Sequence, residues 1–149
     1  MINLKAFREY VVGLSDAVNN SCQYKIDNVQ MAVSEAHMIK KLQNSRGITL
    51  CASFPDSRGT GSADSMKEDE QAFFFVVEKV SPGTDNNDGE INRYEKLQTV
   101  ALALRDALLQ SSSDCFRLIP DYDYKIEWEW QIFGGYNGLS IGVKFENYD

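Results

Sequence analysis

Apolar residues recur at three- and four-residue steps in three segments of the chain, and this spacing predicts three amphipathic helices. The first segment has its apolar positions at Leu4, Phe7, Val11, Leu14 and Val18. The second spans residues 27–44, with apolar positions at Val29, Val33, Ala36, Ile39 and Leu42. Asp27 could cap this second helix with Gln30 completing a capping box, and Gly47 could terminate it.

The third helical segment, residues 90–110, has the strongest pattern in the chain. Its seam consists of Tyr94, Leu97, Ala101, Leu104 and Leu108, and Val100, Ala103 and Ala107 widen that seam into a broad face. In the preceding turn, Asn87 could cap the helix and Glu90 could complete the box. We expect the broad face to pack on a sheet.

Two internal segments, residues 48–54 ("ITLCASF") and 71–80 ("QAFFFVVEKV"), are rich in β-formers and predict strands. The second is apolar on both of its faces, which indicates a strand that is covered on both sides. Residues 55–70 between them are polar and aperiodic, and predict a long loop. Residues 115–124 fit no single pattern, and Pro120 argues against a central strand there.

The stretch "IEWEWQIFGGYNGLSIGVKFE", residues 126–146, alternates almost without interruption and predicts a closing β-hairpin. Trp128 and Trp130 share its apolar side, and Glu127 and Glu129 share the other. Matching the apolar sides of two regular strands requires an even number of loop residues, so a two-residue Asn137-Gly138 turn or a four-residue "GYNG" loop is expected. The tryptophans are then predicted to be core anchors facing the third helix.

Together these elements predict an α+β fold in the order α-α-β-β-α-β-β. A mainly antiparallel four-stranded sheet would carry the helices packed on it, in a single domain over residues 1–149.

Composition and charge limit the classes of partner. The chain has 22 acidic and 15 basic residues, a net charge of −7, and no run of Lys or Arg, which argues against nucleic acid as the main partner. No window approaches the ~20 apolar residues that a membrane span needs, and Arg8 and Glu9 interrupt the first apolar segment, so neither an anchor nor a signal peptide is expected. Cys22, Cys51 and Cys115 are far apart and without a C-x-x-C spacing, which is typical of a reducing compartment. We therefore expect a soluble cytoplasmic protein.

Glu127 and Glu129 are the first candidates for chemistry. Two residues along one strand face place them about 7 Å apart, whereas retaining glycosidases hold two carboxyl groups ~5–5.5 Å apart across a cleft. A solvated strand face explains the pair better. His37 is the only histidine, and no nucleophile or second metal ligand stands at a motif spacing from it. No catalytic residue is predicted.

Two short motifs have some features of ligand sites. Residues 84–95 place Asn86, Asp88 and Glu95 at calcium-loop positions, but Thr84 stands where the first carboxylate is required. A helix-capping turn is the preferred interpretation there. The "GTG" within "SRGTGSAD" follows a strand but lacks the third glycine and the Lys-Ser/Thr pair of phosphate loops. We predict no metal and no cofactor.

The segments "GITLCASF", "QAFFFVVEKV", "EKLQTVALALRDALL" and "YKIEWEWQIFGGYNGLSIGVKFE" resemble, in element order and character, the tail terminator and tail-completion proteins of long-tailed bacteriophages. The resemblance covers roughly the last hundred positions. It implies a sheet with helices against it and a hexameric ring at the head-proximal end of the tail tube. The second helix and the loop at 55–70 depart from the simplest pattern, and leave a neck or connector protein as an alternative.

The expected function is that of a non-enzymatic structural subunit that self-assembles, with copies of itself in a ring and other virion or assembly proteins as partners. Neither nucleic acid nor membrane is an expected partner, and the location would be the virion if the phage interpretation holds. An apolar strand and a broad apolar helix in so small a chain independently favour a partner surface. The alternative is an intracellular module that binds a small ligand or a protein, and a small hydrolase using Glu127 or Glu129 ranks last.

Overall fold

The computed structural model describes residues 1–81, 83–111, 116–118 and 124–147, with backbone alone at 116–118 and 147. The described residues include the helices α1 (Leu4–Ser21), α2 (Glu35–Leu42) and α3 (Asn87–Gln110). The strands are β1 (Asn28–Ala32), β2 (Ile48–Ser53), β3 (Asp56–Ser62), β4 (Ser65–Lys79), β5 (Phe116–Leu118), β6 (Lys125–Ile132) and β7 (Tyr136–Asn147). The α+β class is as predicted.

All seven strands belong to one mixed sheet with the order β1-β2-β4-β7-β5, in which β3 also pairs with β4 and β6 with β7. The long strands β4 and β7 form its centre and pair antiparallel from Asp69↔Glu146 to Lys79↔Tyr136. The shorter strands β2 and β3 follow one another along the outer edge of β4 and both pair with it. In the same way, β6 and β5 pair with successive parts of the outer edge of β7. The expected four-stranded sheet is therefore wrong in strand number, and β1 and β2 are a parallel pair within it.

Helices α1 and α3 cover one side of the sheet, which we call the helical face. Alternate residues of the central strands point to it, among them Ala72, Phe74, Val76, Leu139, Ile141, Val143 and Phe145. Phe7 of α1 packs against Phe74 and Phe145, with ring centroids 6.2 and 5.8 Å apart. The predicted helix patterns are confirmed for most positions: Phe7, Val11, Leu14 and Val18 of α1 are buried, as are Leu97, Val100, Ala101, Leu104 and Leu108 of α3. Leu4, the first predicted position of α1, is 43% exposed, and Tyr94 of α3 is half-buried.

A second, smaller core lies on the opposite side of the sheet, beneath α2. Met38 and Leu42 of α2 pack there with Cys51, Val77, Phe133 and Tyr136. The Tyr136 hydroxyl donates to the Leu42 carbonyl at 2.6 Å, which satisfies a C-terminal carbonyl of α2 and ties the helix to β7. The strand at 71–80 is therefore covered on both sides over part of its length, as its composition predicts.

The predicted helix over residues 27–44 is wrong at its start. Residues 28–32 form β1, and α2 begins after Ser34, whose hydroxyl accepts from the His37 amide at 3.3 Å. Asp27 caps no helix, because its carboxylate accepts from the Ile48 amide at 3.0 Å. Parallel pairing with β2 satisfies the β1 backbone, and such a long-range contact outweighs a short helical periodicity.

The predicted loop over residues 55–70 is also wrong. It is the β3–β4 hairpin, with a two-residue turn at Ala63 and Asp64 and a register from Asp56↔Gln71 to Ser62↔Ser65. Most of its residues are exposed on both sides, so the segment lacks the apolar alternation by which strands are recognised.

The closing hairpin turns earlier than predicted. Residues 133–135 form a three-residue turn between β6 and β7, whereas Asn137 and Gly138 lie within β7. A bulge between Glu129 and Ile132 shifts the register by one residue, so Ile126↔Ile141 and Trp128↔Leu139 still match. The prediction of an even number of loop residues was wrong because it assumed two regular strands without a bulge.

Candidate interaction surfaces

Both tryptophans of β6 are exposed, Trp128 by 59% and Trp130 by 66%, so their predicted role as core anchors is wrong. Trp128 does point toward α3, where its ring meets Tyr94 edge-on at a centroid distance of 5.6 Å. Strand β6 is an outer strand of the sheet, and α3 does not reach far enough across it to bury either indole. Trp130 lies in the bulge that interrupts the alternation.

A cleft of about 520 Å³ separates the first turns of α3 from β6, and its lining includes Ile91, Tyr94, Gln98 and Trp128. Ile91 is itself 55% exposed. The Tyr94 hydroxyl donates to the Glu129 carbonyl at 2.7 Å and holds the helix to the strand at this point. We call Ile91, Tyr94, Trp128 and Trp130 the aromatic edge. So much uncovered apolar surface at one edge of a small protein is typical of a contact site.

The β3–β4 hairpin extends past the rest of the sheet. Strand β4 pairs with β7 only from Asp69 onward, so residues 59–68 pair with each other alone, and we call them the hairpin arm. Met66 on this arm is 74% exposed. The residues of the "GTG" motif lie in β3 of the arm, with Gly61 at a positive φ of 110°.

The side of the sheet opposite the helical face is covered only in part by α2. Phe73 of β4 lies on the uncovered part, which we call the open face, and is 43% exposed, whereas the neighbouring Phe75 packs against Phe133 of the smaller core. The rings of Phe73 and Phe75 border both a groove of about 520 Å³ toward β6 and one of about 350 Å³ toward α2. Gly142 leaves room for the Phe73 ring, because a Cβ there would lie 3.1 Å from it.

Glu127 and Glu129 belong to the open face and line the larger groove. Lys125 pairs with Glu127 at 2.7 Å, and this hydrogen bond raises the pKa of the lysine. Ser140 donates to Glu129 at 2.8 Å. Each carboxylate thus has its own polar neighbour on an open strand surface, a cation for Glu127 and a hydroxyl for Glu129.

His37 is half-buried at the start of α2, where its Nδ1 accepts from the Val33 amide at 3.1 Å. In residues 84–95, Asn86 rather than the predicted Asn87 caps α3, by accepting from the Gly89 amide at 2.8 Å. Asp85 accepts from Arg93 at 2.8 Å, so these oxygens serve the helix start. Within the ranges that the structure describes, no three His, Cys, Asp or Glu side chains are grouped so as to hold a metal ion.

Cys22 and Cys51 are buried free thiols, and burial raises the pKa of Cys51 to about 12. Cys115 and Pro120, on which two sequence-based inferences rested, lie outside the described residues. None of the described helices is long and apolar enough to cross a membrane.

The hairpin arm is a surface feature that sequence reasoning missed. The one available signal for the arm was the turn-forming "SADS" between two polar runs, and neither run alternates in hydrophobicity. Comparison with known proteins adds no family: no protein-family model and no curated protein matches this chain.

Proposed function

We propose that this protein is a non-enzymatic structural subunit that assembles with copies of itself. The observation that carries the proposal is the aromatic edge, where Trp128 and Ile91 line a cleft and are each more than half exposed, as is Trp130 on the same strand. Aromatic side chains are enriched at the centres of protein interfaces, since they bury a large area at a small entropic cost. The hairpin arm gives a second feature suited to reaching a neighbouring subunit.

The kind of assembly rests on resemblance. The order of the long α3 and the closing hairpin resembles a bacteriophage tail terminator or head–tail connector protein, for which a ring and partners among virion proteins are implied. A closed ring requires contacts between different patches of adjacent copies. The arm and the aromatic edge lie on different parts of the sheet and meet that requirement.

Light scattering and native mass spectrometry from about 1 to about 200 µM test self-association directly. We expect oligomers whose fraction rises with concentration, and a strong reduction of that fraction by Trp128→Ser. Leu109→Ser is the matched control, because Leu109 is 50% exposed near the end of α3 but belongs to neither surface. A monomer at every concentration would contradict the proposal.

A second candidate function, binding of a small apolar ligand or a protein segment, is favoured by the groove of about 350 Å³ on the open face. Val33, Phe54, Phe73 and Phe75 are among its lining residues. On this alternative the chain is monomeric, and a fluorescent apolar dye such as anilinonaphthalene sulfonate binds saturably. Replacing Phe73 by Ser would weaken that binding, while Trp128→Ser would leave it unchanged.

A further inference from the structure

Strand β6 has an outer edge with which no strand of the described part of the chain pairs. A free strand edge presents unpaired amides and carbonyls, and is a template for pairing with another chain. Among the other outer strands, β1 is protected by a charged side chain, because the Lys41 ammonium donates to the Met31 carbonyl at 2.5 Å. The edge of β6 carries the exposed Trp128.

The side chains of β6 are complementary to themselves. In an antiparallel pair of two copies centred on Ile126, Lys125 of each copy lies opposite Glu127 of the other, and Ile126 meets Ile126. On the same side as Ile126, Tyr124 lies opposite Trp128, and both rings are exposed in the single chain. Shifting the pair by one step to centre on Glu127 would set two glutamates directly opposite each other, which destabilises a strand pair.

The backbone also suits this register. The Val80 amide donates to the Gly135 carbonyl at 2.9 Å, so Gly135 and every second residue of β7 after it turn their peptide groups toward β4. The residues between them, which include Ser140 and Gly142, therefore turn theirs toward β6 and bond their partners Glu127 and Lys125. Alternation along β6 then turns the peptide groups of Ile126 and Trp128 outward, away from β7. Ile126 of one copy and Ile126 of the other would thus exchange two amide–carbonyl hydrogen bonds across the two-fold axis.

We propose that two copies of this chain join their sheets through antiparallel pairing of β6, centred on Ile126 and spanning residues 124–128. This inference rests on the proposed self-assembly and specifies one contact of it. By itself the pairing gives a dimer with a continuous sheet, the self-complementary contact of two-fold symmetry. A ring would need a further contact elsewhere, for which the hairpin arm is available.

A charge swap within one chain tests the register. Lys125→Glu places a carboxylate opposite Glu127 of the other copy on both sides of the axis. Glu127→Lys places a lysine opposite Lys125 of the other copy in the same way. Each substitution is expected to weaken dimerisation roughly tenfold or more. The double variant Lys125→Glu/Glu127→Lys restores opposite charges and should restore association. Lys144→Glu, the same change on the exposed surface of β7, is the control and should leave the dissociation constant unchanged.

A cross-link provides a measurement independent of affinity. Residues opposite each other in a hydrogen-bonded antiparallel pair have Cα atoms about 5.5 Å apart, within the range of a disulfide. Ile126→Cys in a chain that also carries Cys115→Ser should therefore form a covalent dimer on mild oxidation with oxidised glutathione. Val12→Cys in the same background, on the exposed side of α1, should not.

The outcomes separate the two proposals. If the natural chain is monomeric at every concentration, both the proposed function and this contact fail. If it associates but neither charge reversal weakens the association and the Ile126→Cys variant does not cross-link, the β6 pairing is overturned while self-assembly stands. Loss of association in both single variants with no recovery in the double variant would also overturn this register.

Discussion

Gly138 lies in the middle of the sheet, opposite Val77 of β4, and not in a turn. A Cβ at this position would come within 1.9 Å of the Val76 carbonyl oxygen, so the two central strands approach each other closely there. An Asn-Gly pair is common in hairpin turns because glycine tolerates positive φ. Here the same residue is needed for close packing, a requirement that local sequence does not reveal.

Gly138→Ala is expected to lower the free energy of unfolding by about 1–3 kcal/mol, because β4 and β7 must separate to admit the methyl group. Gly13→Ala is the matched control. Gly13 is exposed within α1 and has open space around its Cα, so alanine should raise the stability by about 0.5–1 kcal/mol. Urea denaturation followed by circular dichroism measures the unfolding free energy of both variants. Equal changes in the two would contradict the close approach of β4 and β7 at Gly138.

Tyr136→Phe should destabilise the protein by about 1–2 kcal/mol, because it leaves the buried Leu42 carbonyl without its hydrogen-bond donor. Tyr94→Phe removes a similar bond, to the Glu129 carbonyl, at a half-buried site that water can reach. The second substitution is expected to cost less than the first. Urea midpoints that rank the two variants in the reverse order would argue against the role assigned to Tyr136.

At the scale of elements, α3 is joined to the sheet by an ionic network at its first turns. Arg93 donates to Glu78 of β4 at 2.6 Å and to Asp85 at 2.8 Å, and Lys96 donates to Glu78 at 2.7 Å. The hydrogen bond from Arg93 lowers the pKa of Asp85 below its ordinary 3.8. This network fixes the position of the first turns of α3 on the sheet. It therefore also fixes the positions of Ile91 and Tyr94 beside β6.

The lowered pKa of Asp85 predicts a loss of stability in acid. A carboxylate whose pKa is depressed on folding stabilises the protein above its unfolded pKa, and that contribution disappears as the pH falls through the folded pKa. Asp85→Asn should therefore reduce the difference in unfolding free energy between about pH 6 and about pH 3. Thermal melts at both pH values measure it, and an unchanged difference would contradict the contribution of Asp85.

Prediction of elements from sequence succeeded where a pattern was both long and amphipathic. Both α1 and α3 bury the faces that their spacing indicated, because one side of each rests on a large sheet. It failed for β1, which is stabilised by pairing with β2, and for the β3–β4 hairpin, whose mostly exposed strands lack apolar alternation. Hydrogen bonds to a partner strand leave little trace in the local order of apolar residues.

At the scale of the whole molecule, self-association links stability to protein concentration. If folded copies bind one another and unfolded chains do not, the melting temperature should rise between about 2 and about 200 µM. Trp128→Ser should melt at a temperature that depends less on concentration, whereas Leu109→Ser should behave as the natural chain does. Differential scanning fluorimetry at both concentrations checks this, and a concentration-independent melting temperature would argue against assembly.

The candidate surfaces show the same division between local pattern and tertiary context. Alternation along β6 correctly separated Trp128 and Ile126 from Glu127 and Glu129, because successive side chains of any strand point to opposite sides. The same pattern does not reveal that β6 is an outer strand. The tryptophans were therefore predicted to be buried in the core, although both are exposed. The paired glutamates, in contrast, lie on an open surface as expected.

The sequence by itself determined the α+β class, the buried faces of α1 and α3, and the two sides of the closing hairpin. These depend on periodicities of 3.6 and 2 residues, which are local properties of the backbone. The tertiary structure alone decided the strand order, the parallel β1–β2 pair, the bulge in β6 and the exposure of Trp128 and Trp130. Each of these depends on which distant segment lies alongside, and a strand edge accepts any partner whose backbone groups can reach it.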